Sequence, residues 1–119
     1  MISLAGREIL VVEDDWFIAS YVESVLERAD AALLGSCATV EDALHLLDLR
    51  RPDAATLNVR LGDGTSALVA ERLEEMGVPF LFLSATAEPQ LPDRFRDRPM
   101  LSKPFAGFQV VDAVARLTE

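Results

Sequence analysis

The chain has 119 residues, half of them hydrophobic, which suits one domain with one packed core. Its formal net charge of −9 argues against a nucleic-acid surface, because phosphate backbones attract faces rich in Lys and Arg. Cys37 is the only cysteine, which excludes an internal disulfide and a Cys-based metal cluster.

No run approaches the ~18 consecutive apolar residues of a membrane-spanning helix. Leu4 and Ala5 are followed at once by Gly6, Arg7 and Glu8, so no signal-peptide core forms. A cytoplasmic location is expected, with no membrane partner and with Cys37 acting as a small buried hydrophobe. There is no internal repeat, low-complexity tract or linker, so residues 1–119 read as a single domain.

Residues 8–13 form a continuous apolar run closed by acids, which predicts a strand buried on both faces of a parallel sheet. A helix is predicted over 15–29, where Ile18, Val22, Val25, Leu26 and Ala29 recur at helical spacing. Asp30 stands where the helix should end in a left-handed residue, a conformation that Asp tolerates better than most. Residues 31–37 read as a second strand. Thr39 with an acid three residues on predicts an N-cap, and the helix carrying Ala43, Leu44, Leu46 and Leu47 must stop before Pro52. Residues 54–58 read as the third strand, and Gly62-Asp63-Gly64 as a loop. Thr65 or Ser66 is the expected cap of a helix that turns Leu68, Val69, Leu73 and Met76 inward and ends at Gly77.

A fourth strand is predicted over 78–84. Pro89 and Pro92 then fall where a crossover helix is expected, and each lacks an N–H donor, so only a short, irregular or mobile helix is predicted near 91–96. Residues 99–102 read as a fifth strand. A last helix over 105–117 is expected to present Phe108, Val111, Val114, Ala115 and Leu117 on its apolar face.

Strands alternating with helices predict a doubly wound parallel sheet, and such α/β sheets bind ligands beyond the carboxyl ends of their strands. Glu13, Asp14, Asn58, Ser84 and Lys103 all fall at or just past those ends. Taken singly, each has a plainer reading. The acids at 13–15 could be a solvated loop and a helix N-terminal charge, Lys103 a surface lysine, Ser84 a strand-end hydrogen-bonding group and Asn58 an ordinary strand-end residue. Their joint register makes one site.

In order and spacing, Val11-Val12-Glu13-Asp14-Asp15, the strand ending at Asn58, Leu83-Ser84-Ala85 and Lys103-Pro104-Phe105 resemble the receiver domain of bacterial response regulators, the CheY-like family. The resemblance covers nearly the whole chain. Residues 79–86, Leu91-Pro92 and 98–105 also resemble the alphaproteobacterial FAT GUY group of single-domain receivers, although that group's Phe-Ala-Thr-Gly core is replaced by Leu83-Ser84-Ala85-Thr86. The resemblance implies a flavodoxin-like (βα)5 fold with strand order 2-1-3-4-5 and, here, an irregular fourth helix.

It also implies roles. Glu13, Asp14 and the backbone carbonyl of Arg60 would hold Mg²⁺. Ser84 and Lys103 would contact a phosphoryl group, the lysine as a point charge, and a cis Lys103–Pro104 bond would aim it. Residue 58 would be the aspartate that attacks phosphorus. Asn58 cannot do this, since its amide nitrogen lone pair is delocalised and its oxygen carries no full charge. The Mg²⁺ site should therefore be weak, and the Asn58 amide is expected to donate to Glu13 or Asp14. Met100 replaces an aromatic switch residue with a flexible one.

The expected function is a stand-alone receiver in two-component phosphorelay signalling that acts by protein–protein interaction and is not itself an enzyme. No output segment is expected after Glu119. A histidine kinase, phosphotransfer protein or other signalling protein is the expected partner, on the face made by the fourth helix region, fifth strand and last helix. Two alternatives stand beside this. One is a phosphoaccepting receiver whose natural residue 58 is Asp; the other is a module cut from a longer regulator. Trp16 is expected to pack near the acids, His45 to be exposed or half-buried, and Asp63 is a weak candidate for a substitute acceptor.

Overall fold

The computed structural model describes residues 2–62, 64–85 and 91–119. In chain order it has β1 (Glu8–Val12), α1 (Trp16–Arg28), β2 (Ala32–Cys37), α2 (Val40–Leu49), β3 (Ala54–Asn58), β4 (Arg60–Leu61), β5 (Gly64–Thr65), α3 (Ala67–Met76), β6 (Phe80–Ser84), a 3₁₀ turn (Asp93–Phe95), β7 (Met100–Ser102) and α4 (Gly107–Leu117). The main sheet is parallel, in the order β2-β1-β3-β6-β7. That is the predicted 2-1-3-4-5 order, with the β4–β5 antiparallel ribbon inserted where a plain loop over 62–64 was expected. Asp63, the candidate substitute acceptor, lies outside the described residues.

Alternation along each strand splits the core into two layers. Leu10, Val12, Leu57 and Phe82 face α2 and α3, where they meet Leu47 and Leu73. Ile9, Val11, Leu81 and Leu83 face α1 and α4, where they meet Val22 and Val114. This explains the unbroken apolar runs of β1, β3 and β6, since neither face of these central strands meets water.

The helix boundaries follow from local chemistry. Asp15 caps α1, its Oδ1 accepting from the N–H groups of Phe17 (2.9 Å) and Ile18 (3.2 Å). Asp30 follows in the left-handed conformation at φ 74°, as predicted. Thr39 caps α2 by accepting from the N–H of Asp42 at 3.1 Å. Ser66 holds the N-cap position of α3 but makes no side-chain cap bond; Thr65 Oγ instead accepts from the Ala67 N–H at 3.3 Å. Gly77 ends α3 at φ 72°. Gly107 opens α4 directly against α1, where an added Cβ would sit 2.9 Å from Val25 Cγ2 and 3.1 Å from the Tyr21 hydroxyl.

Residues 86–90 lie outside the described set; among the described residues that follow, Asp93–Phe95 form a 3₁₀ turn, in keeping with the short helix predicted near 91–96. Phe95 is fully buried and anchors the turn against Phe80 and Phe82, with ring centroids 6.2 and 6.0 Å away. Truncating a buried Phe of this kind costs about 3–5 kcal/mol. Arg94 and Arg98 add a clamp, both binding the Glu74 carboxylate on α3.

Three expected burials are corrected. Leu68 is 58% exposed and Phe108 is 75% exposed. Val110 occupies the inward place on α4, because the helix is rotated to seat Val110 and Val114. Trp16 does not pack near the acids; it is 72% exposed, since Asp15 turns the chain into α1 and directs the first helical residues outward.

Candidate functional site

All five main-sheet strands run in one direction, so their carboxyl ends share one edge. β1 and β3 flank the point where strand order reverses, and they deliver Glu13 and Asn58 side by side. Ser84 ends β6 opposite Ser102 of β7, and its carbonyl accepts from the Lys103 N–H at 2.7 Å. The Lys103–Pro104 bond is cis. The sequence-predicted residues thus gather at one place, where Glu13 is 3%, Asn58 8% and Ser84 6% exposed.

Lys103 Nζ donates to Glu13 Oε1 at 3.1 Å and to Asn58 Oδ1 at 2.9 Å. Asn58 Nδ2 donates to the Arg60 carbonyl at 2.6 Å. The expected donation from Asn58 to Glu13 or Asp14 is therefore corrected. Lysine offers only protons and must meet the amide oxygen, which leaves the nitrogen facing a carbonyl that can only accept. Glu13 Oε2 accepts from the Asp15 N–H at 3.0 Å, and Asp14 Oδ2 accepts from the Gly62 N–H at 2.9 Å. Asp15 itself is spent on capping α1, so for this third acid the plain helix-end reading holds.

Burial pushes the Glu13 carboxyl up from its ordinary value, while the Asp15 N–H and the Lys103 ammonium pull against that. Burial also raises the Cys37 thiol, with Asp42 adding to the effect, as suits a small buried side chain.

The donors that a hard divalent cation would find are Glu13, Asp14 and the Arg60 carbonyl. All are oxygens, so the set fits Mg²⁺ in type. Each is already engaged by a donor of the chain, and a cation at the Arg60 carbonyl would share that oxygen with the positive end of the Asn58 N–H. Among the described residues no group of three or more His, Cys, Asp and Glu side chains gathers to hold a metal. His45 is exposed on α2 and Met100 is 44% exposed on β7, neither joined to the site by a hydrogen bond.

An aromatic surface beside the site was not anticipated from the sequence. Trp16 and Phe17 meet edge to face at 5.2 Å, and Phe17 is 77% exposed. Tyr21 lies 6.4 Å from Phe105, and a shallow hollow lined by Phe17, Ile18, Tyr21, Lys103, Pro104 and Phe105 joins this surface to the site lysine. The signal was present: positions 18, 22 and 26 take the buried stripe of α1, so 17 and 21 form an adjacent apolar stripe with nothing assigned to cover it.

The family model described as the response regulator receiver domain matches residues 9–115. The phyllosphere-induced regulator PhyR of Methylorubrum extorquens is 31% identical over 109 residues, covering 84% of this chain and 39% of that protein. The sensory transduction protein LytT of Bacillus cereus is 33% identical over 84 residues, covering 70% of this chain and 34% of that protein. The chain thus spans little more than a third of the length of these two relatives. The solution structure of SdrG from Sphingomonas melonis Fr1 superposes with a TM-score of 0.83 at 39% identity, covering 95% of this chain and 97% of that one.

Proposed function

The chain belongs to the response regulator receiver family, and we propose that it serves two-component phosphorelay signalling by binding other proteins, without an acyl phosphate on residue 58. The observation that carries this reading is the bonding of Asn58. Its oxygen accepts from Lys103 and its nitrogen donates to Arg60, and neither atom is a nucleophile toward phosphorus. Lys103 and Ser84 retain the phosphate-contacting positions. Glu13, Asp14 and the Arg60 carbonyl are the donors that would hold Mg²⁺, weakly. When bound, that ion supplies neutralisation of oxygen charge at the sheet edge.

The exposed aromatic side chains support a protein partner. Large apolar side chains left in water at the start of α1 and α4 suit a docking surface better than a monomer's ordinary exterior. Phe17 among them lines the hollow that borders Lys103, which gives the site a route to that surface. A histidine kinase, a phosphotransfer protein or another signalling protein is the partner class. The charge of −9 speaks against nucleic acid.

The test is incubation with acetyl phosphate and Mg²⁺ followed by intact mass. No phosphoryl gain is expected. Stoichiometric, hydroxylamine-labile phosphate on the natural chain would overturn the reading. A second reading, a phosphoaccepting receiver whose natural residue 58 is Asp, is favoured by the survival of Lys103 and Ser84 around position 58 and is decided by the source gene. The greater length of PhyR and LytT favours a receiver that is one part of a longer regulator, and the length of the same gene decides that too.

A further inference from the structure

The hydrogen bonds around Asn58 tie together three segments that are distant in sequence. Lys103, after β7, reaches Glu13 after β1 and Asn58 at the end of β3. Asn58 holds the Arg60 carbonyl in the β4–β5 ribbon at 2.6 Å, and the same ribbon donates from the Gly62 N–H to Asp14 at 2.9 Å. Each link has a donor of the chain on one side and an oxygen on the other.

An aspartate at position 58 could not close this circuit. Both of its oxygens accept, and a carboxylate oxygen 2.6 Å from the Arg60 carbonyl is repulsive unless a proton or a cation lies between them. Here the Asn58 N–H supplies the positive end. Lys103 does the same between Asn58 and Glu13.

We propose that Asn58 is an internal latch standing in for the divalent cation: its own N–H holds the Arg60 carbonyl, and the positive end of that N–H opposes Mg²⁺ at the same oxygen. The acidic site is then set by hydrogen bonds within the chain, and the ribbon and the lysine loop keep one arrangement whether or not Mg²⁺ is present. The inference rests on the receiver reading given above and describes the regulation of that same site.

Two causes of weak metal binding are separable. Replacing a carboxylate by an amide removes charge, whereas the latch sets a positive dipole against a ligand. Asn58→Ala removes the latch without restoring charge, and Asn58→Asp removes the latch and restores it. The natural chain and both variants are titrated with MgCl₂ while the amide signals of Gly62 and Ser66 are followed by NMR. The expected order of affinity is Asn58→Asp, then Asn58→Ala, then the natural chain. Loss of one net hydrogen bond corresponds to a gain of about fivefold for the alanine variant. If Asn58→Ala binds no more tightly than the natural chain, the latch is overturned and lost charge accounts for the weakness. Should Asn58→Ala not fold, Asn58→Leu, which fills the volume and donates nothing, is judged by the same criterion. No phosphodonor enters these titrations. A failed latch therefore leaves the receiver reading intact, and phosphate uptake by the natural chain would sink that reading without touching the Mg²⁺ order.

Discussion

Lys103 Nζ lies 3.1 Å from Glu13 Oε1, and the two side chains are 14% and 1% exposed. Removing one partner of so buried a pair strands the other. Lys103→Met is expected to destabilise the fold by about 3 kcal/mol, because Glu13 then keeps its burial and loses its counter-charge. Adding Glu13→Gln should recover part of that loss, and a double-mutant cycle by urea unfolding measures the coupling.

Gly107 is a steric requirement of the α1–α4 contact. A Cβ there meets Val25 at 2.9 Å. Gly107→Ala is expected to cost about 1–3 kcal/mol by overpacking, even though alanine favours a helix. Val25→Ala in the same chain should reduce the penalty, which thermal unfolding of the single and double variants checks.

Thr56 sits in the middle of β3, fully buried, and its hydroxyl has no hydrogen-bond partner among the described residues. Valine keeps the shape and removes the unsatisfied group. Thr56→Val is expected to stabilise by up to about 1 kcal/mol, read as a higher urea midpoint with an unchanged slope.

Glu74 is held below the ordinary carboxylate range by its hydrogen bond to Arg98, with Arg94 adding to the effect. A depressed folded value means that the unfolded chain takes up the proton first as pH falls. The contribution of Glu74 is thus present above the ordinary value of 4.5 and is lost as pH drops through the folded one. Glu74→Gln should lower the unfolding temperature at neutral pH, and the gap from the natural chain should close in acid. Because the side chain is 23% exposed, added salt should narrow the gap as well.

Phe17 and Phe108 are 77% and 75% exposed, so serine at either position should change stability by no more than about 0.5 kcal/mol. The same substitutions are expected to weaken capture of a kinase or phosphotransfer partner by about tenfold or more, as aromatic anchors at an interface do. Unchanged capture by both variants would move the docking surface elsewhere.

Much of the architecture was legible before any coordinates. Residues 54–58 match their observed bounds, Asp30 and Gly77 fall on left-handed residues, and a short 3₁₀ turn follows Pro92. The misplaced residues share a position. Trp16, Leu68 and Phe108 each occupy the first turn of a helix, where the outward swing of the chain from its cap decides exposure and the apolar period alone does not.

The sequence by itself determined the strands of the main sheet and the helices that cover it, the gathering of Glu13, Asn58, Ser84 and Lys103 at one sheet edge, and the absence of a nucleophile at position 58. These follow from periodicity and from functional-group chemistry, which are local properties. Only the tertiary structure decided what the Asn58 amide bonds to, that Asp15 caps a helix rather than joining the site, and which aromatics stand in water. A hydrogen bond is won or lost within a few tenths of an ångström, and that distance is fixed by how strands far apart in sequence pack. Glu13 and Asp14 are the partners expected for the Asn58 amide in one dimension; in three, the ribbon after β3 brings the Arg60 carbonyl to 2.6 Å instead.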